Sequence, residues 1–145
     1  MTDTELARAL ERREVTNKGF DHAAHLRVGW VYLRESPSIE EACRKMSAAL
    51  GRFAASVGHP EKYHETITQF WMRCLAQLRA SMPGRDLRAI LQANPWLLEK
   101  NSLLEYYAPD TLFSDHARTT WVEPDLKPIS IDASALCSSR SPRDA

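Results

Sequence analysis

From Ser38 to Pro83 the chain reads as two long helices with almost nothing between them. Ser38 and Glu41 form the Ser-x-x-Glu pattern that satisfies the free amides of a helix's first turn. Apolar residues then recur at Ala42, Met46, Ala49, Leu50, Phe53 and Val57, and Gly58 stands where a helix ends in the left-handed region. His59-Pro60 opens the next helix with proline at its first position. Tyr63, Ile67, Phe70, Trp71, Cys74, Leu75 and Leu78 give it a broad apolar face up to Met82-Pro83-Gly84. Helices joined by so few residues pack antiparallel, which commits the core to helix-on-helix packing.

The flanking segments extend this pattern. Residues 2–15 predict a first helix with Thr2 or Thr4 as cap and a thin stripe of Leu6, Leu10 and Val15, placing it at the periphery. A second begins near Phe20-Asp21, carries Ala23, Leu26, Trp30 and Leu33, and ends before Ser36-Pro37. Beyond Gly84 the elements shorten: 86–93, a turn capped by Asn94-Pro95, a second capping signature at Ser102-x-x-Glu105, and single turns at Ala108-Pro109 and Ser114-Asp115. WVEPDLKPI (121–129), with two prolines, is expected to be extended. The fold class is therefore all-α: a compact bundle of about four core helices, followed by short helices and an extended C-terminal strap. Residues 1–129 form one domain, and 130–145, poor in apolar residues, are expected to be a disordered tail.

Charge and composition exclude several functions. The 145 residues hold 19 basic and 19 acidic side chains, and residues 1–18 alone carry four of each, so no basic face for nucleic acid is visible. No apolar run is long enough for a membrane span, and the N-terminus lacks the apolar stretch of a secretory leader, which predicts a cytoplasmic protein. Cys43, Cys74 and Cys137 have no paired spacing and read as reduced thiols, the first two buried among apolar neighbours.

The chemistry-bearing residues cluster at the starts of two helices. His22 and His25, three apart, project from one side of the second helix and begin a two-nitrogen set for a borderline metal such as Zn, Fe or Ni. On the long helix, Glu61-x-x-His64 has the spacing of carboxylate-bridged metal bundles, although no second such pair accompanies it. His64-Glu65 begins like a zinc-protease motif, but Thr68 stands where its second histidine is required, so that motif is rejected. What remains is a mononuclear set of His22, His25 and His64, with Glu65 or Glu61 as fourth ligand or general base, His64 and Glu65 as catalytic pair, and Tyr63, Thr68 and Arg118 facing substrate. The competing reading is structural: first-turn histidines that are solvated or bonded to carbonyls. Tyr106-Tyr107 and Trp96 are read as core, and Arg118 and Asp125 as an ion pair pinning the strap or closing the cleft.

The phrases FDHAAHLRVGW, KYHETITQFW, LLEYYAPDTLFSDHAR and WVEPDLKPI together resemble a family of small bacterial proteins in which HxxHL, YHET, YYSP and WVEPDL recur in this order, over about residues 20–129. Ala108 replaces the serine of that pattern. The resemblance implies that His22, His25, Leu26, Tyr63, His64, Glu65 and Thr66 are family-defining, and it brings no reaction with it. Two functions follow as expectations. The first is a small-molecule enzyme, metal-dependent in one version, with a His/Glu site between the second and the long helix. The second is a non-catalytic helical module that binds a ligand or a protein and uses its histidines structurally. The pattern is silent on oligomeric state.

Overall fold

The computed structural model describes residues 1–129, and among these there is no β-strand. The helices are α1 (Asp3–Glu11), α2 (His22–Glu35), α3 (Ile39–Ser56), α4 (Glu65–Ser81), α5 (Leu87–Ala93), α6 (Pro109–Leu112) and α7 (Asp115–Thr119). Turns of 3₁₀ type occupy Pro60–Lys62, Pro95–Leu98 and Lys100–Glu105. The expected tail 130–145, with Cys137, lies outside the described residues.

Most helix starts are set by short polar side chains. Thr2 accepts the Glu5 amide while Glu5 reaches back to the Thr2 amide, a reciprocal cap on α1. Asp21 accepts the Ala24 amide (2.9 Å) and Ser38 the Glu41 amide (3.1 Å). The first helix is shorter than its apolar pattern suggests. Arg13 turns into the left-handed region at φ 58°, and the Glu14 amide closes back on Ala9 O, so Val15 lies beyond the helix. Nor is α1 peripheral: Leu10 and Ala7 are fully buried against α2, because the small Ala7 and Ala9 permit close approach. Arg8–Glu35 (2.5 Å), Arg27–Asp3 (2.6 Å) and the Tyr32 hydroxyl on Glu11 (2.6 Å) tie the two helices at their rims.

The long helix departs most from expectation. Pro60 starts only a single 3₁₀ turn, the chain becomes extended at Tyr63 (ψ 137°) and His64 (ψ 110°), and α4 begins at Glu65. The His64 ring takes the capping role, accepting the Ile67 amide on Nδ1 at 3.2 Å. Glu61 and His64 therefore do not share a helical face, and the Glu-x-x-His reading loses its geometric basis. Ser102 likewise caps nothing; its hydroxyl donates to Trp96 O of the preceding 95–98 turn.

Helices α1 to α4 pack on one another, and their common core holds Leu10, Leu26, Phe70, Met72, Leu75 and Leu78. Gly29 of α2 faces Met72 and Leu75 so closely that a Cβ there would stand 2.8 Å from the Met72 sulfur. Cys43 and Cys74 are buried free thiols, and burial pushes both thiols up, away from reactivity. Residues 120–129 are hydrogen-bonded to α4 and to Tyr106-Tyr107. Thr66 Oγ1 donates to Thr120 O and accepts the Val122 amide, Tyr107 donates to Val122 O (2.5 Å), the Leu126 amide donates to Tyr106 O, and Gln77 donates to Ile129 O. The Arg73 guanidinium lies over the Trp121 ring at 4.4 Å. Asp125 pairs with the Ala108 amide and the Thr111 hydroxyl, not with Arg118 as the sequence suggests.

Candidate functional site

A cavity of about 570 Å³ opens where α2 and α4 begin and α3 ends. Its size is that of an ordinary small-molecule site. Leu26 from α2, Met46, Leu50 and Phe53 from α3, and Trp71 and Met72 from α4 supply apolar wall. The polar groups include His22, His25, His59, His64, Tyr63, Thr68, Asn17 and Asn101, with Asp21, Lys62 and Lys100 as the charged ones. The structure thus brings His22, His25 and His64 to one cavity.

Their ring nitrogens differ in what they have left to offer. His64 Nε2 lies 2.7 Å from Leu112 O, and because a carbonyl only accepts, Nε2 carries the proton; Nδ1 meanwhile accepts the Ile67 amide. Both nitrogens are committed, one to starting α4 and one to holding α6. His22 donates Nε2–H to Leu97 O (2.8 Å) and stands edge-on to the Trp71 ring at 4.7 Å, which leaves Nδ1 with a lone pair. His25 donates Nδ1–H to Asp21 O (3.0 Å) and packs against Phe20 at 4.7 Å, which leaves Nε2 unprotonated and, among the described residues, unpartnered. Burial is the main cause that lowers all three below the usual imidazole value, against their carbonyl bonds, and carries His25 to about 4. The neighbouring Lys100 lowers His22 further, and Arg118 lowers His64.

Glu65 is not at the cavity. Its carboxylate accepts the Tyr63 hydroxyl (2.5 Å) and the Gln69 amide (2.5 Å), with Ser47 Oγ at 3.3 Å, and so joins α3 to α4. Its expected role as general base beside His64 therefore finds neither partner free. Tyr63 and Thr68 do line the cavity, but Tyr63 is turned to Glu65, and Thr68 donates to His64 O (2.9 Å). Arg118 lies outside it, its guanidinium 3.5 Å from Glu61 O. Glu61 itself is exposed beside His59. Among the described residues no three His, Cys, Asp or Glu side chains gather as a metal site. A centre built from His22, His25 and His64 would require His64 to release the α4 cap or the Leu112 carbonyl.

Sequence reasoning missed Lys62, Lys100, Asn101 and His59 as cavity residues. Lys62 and Lys100 belong to 3₁₀ turns, where no periodicity marks a shared face; only the long-range packing of 100–113 beside α2 and α4 gathers them. Among the described residues no helix is long and apolar enough to cross a membrane. Comparison with protein-family models, curated proteins and solved structures finds none that this chain matches.

Proposed function

We propose that the protein binds a small, largely apolar molecule in this cavity and moves a proton on it, with His25 Nε2 as the base. The observation that carries the reading is the single side-chain hydrogen bond of His25. Its Nδ1–H is committed to Asp21 O, so the unprotonated Nε2 remains in an apolar cavity. Burial keeps the His25 ring neutral, so its lone pair stays open at neutral pH while holding a proton only weakly, and His22, with its own spare lone pair, stands three residues away. His64 acts here as a positioning residue that builds the cavity wall, and the four-helix core, with 121–129 strapped across it, provides the rigid support. The alternative is a binding module without turnover, in which the same cavity holds a ligand and the free lone pairs only accept hydrogen bonds from it.

Labelling with diethyl pyrocarbonate, which acylates unprotonated imidazole, tests the reading when followed residue by residue by mass spectrometry. His25 is expected to react at neutral pH, His64 to react last, and saturating indole to protect His25. A refractory His25, or His64 reacting as fast as His25, would overturn the assignment of the base.

A further inference from the structure

We propose that the cavity's ligand is an apolar organic acid, its body on the apolar walls and its carboxylate at the mouth, met by Lys62 and Lys100. The proposal deepens, and rests on, the reading that the cavity binds a small molecule. The whole chain is electrically balanced, but the cavity is not. Lys62 and Lys100 both line it, and among the described residues neither has a carboxylate within ion-pairing distance. The one acid in the lining, Asp21, already accepts the Ala24 amide as the α2 cap. Glu61, next to Lys62 in sequence, is bonded to His59. Burial lowers His22, His25 and His64 and so favours their neutral form. Helix ends do not decide the sign, because α2 and α4 start at the cavity while α3 ends there. The unpaired charge is therefore positive and lies on the exposed lysines, above walls of leucine, phenylalanine and methionine. Phe113 and Leu104, 65 % and 41 % exposed, add apolar surface to the same lining. An amphiphile with one anionic end matches both features; a cation matches only the walls.

Trp71 lines the cavity, so its fluorescence reports occupancy. Decanoate, decanol and decylamine share a body and differ at the head, and each is titrated below its micellar range. Decanoate is expected to bind roughly tenfold tighter than decanol, as two partly exposed charge contacts allow, and decylamine more weakly than either. The advantage of decanoate is expected to shrink as salt is raised and to vanish in the Lys62→Gln/Lys100→Gln double variant, with decanol binding retained as the control for folding. Decanol binding as tightly as decanoate, or decylamine binding best, would overturn the acid inference and leave the cavity reading standing. No response to any of the three would overturn both. An acid preference that survives in the double variant would remove the lysines from the proposal.

Discussion

The Thr66 hydroxyl, fully buried on α4, accepts the Val122 amide at 3.1 Å while donating to the carbonyl two residues earlier, at Thr120 (2.7 Å). One oxygen thereby satisfies a donor and an acceptor of a backbone segment that has no helix or strand partner of its own. Thr66→Val preserves the side chain's shape and leaves both groups unpaired. It is expected to lower unfolding free energy by about 2–4 kcal/mol in urea denaturation, with Thr66→Ser losing less than half of that. Equal stability of the valine variant would show that 120–129 contributes little to holding the domain together.

His64 predicts a different pattern. His64→Ala removes both the α4 cap and the tie to Leu112, with an expected cost of about 1–3 kcal/mol. His64→Asn retains a cap but cannot reach Leu112, and its loss is expected to fall between wild type and alanine. A purely chemical role for His64 would leave all three denaturation midpoints together.

The three cavity histidines make stability depend on pH in a defined direction. Burial lowers each below the ordinary 6.5, to about 4 for His25, with His22 adding to the depression and Asp21 opposing it. As pH falls from 6.5 towards 4, the unfolded chain takes up protons that the folded chain refuses, so stability is lost on acidification through that window. Each histidine contributes a slope of at most about 1.4 kcal/mol per pH unit. His25→Asn is expected to flatten the urea midpoint against pH between 6.5 and 4. A slope unchanged in this variant would show that His25 titrates alike in both states.

Arg13 holds a left-handed backbone at φ 58°, a conformation that costs a side-chain-bearing residue roughly 1–2 kcal/mol. Arg13→Gly relieves this and meets the entropy cost of a freer unfolded chain, so a net gain of about 0.5–1 kcal/mol is expected by thermal or urea unfolding. A loss would mean that the Arg13 side chain contributes more than its backbone costs.

What was legible in the sequence follows from where the information is local. The α2 and α3 starts were readable because Asp21 and Ser38 act on amides three residues away, and the all-α class because the apolar residues repeat every three or four positions. The break at Tyr63-His64 was not. Pro60 permits a helix to continue, and histidine is not among the usual capping residues; it caps here with its other nitrogen anchored to Leu112, 48 residues along. The same long-range bond explains why His64 looked like a ligand and is committed to backbone. Glu65 turned away for a comparable reason: its partners Ser47 and Gln69 lie towards α3 and along α4, and no spacing rule shows which of two faces a first-turn carboxylate will choose.

The close approach of Gly29 to Met72 also bears on how selective the cavity is. Met72 and Met46 both contribute to its wall, and the glycine opposite leaves the Met72 thioether against backbone instead of an interlocking side chain. Unbranched methionines re-pack at little cost, unlike the stiffer leucine and phenylalanine beside them. If the cavity binds an amphiphile as proposed, guests that differ by a carbon or two are expected to bind with similar affinity, with discrimination falling to the head group they present.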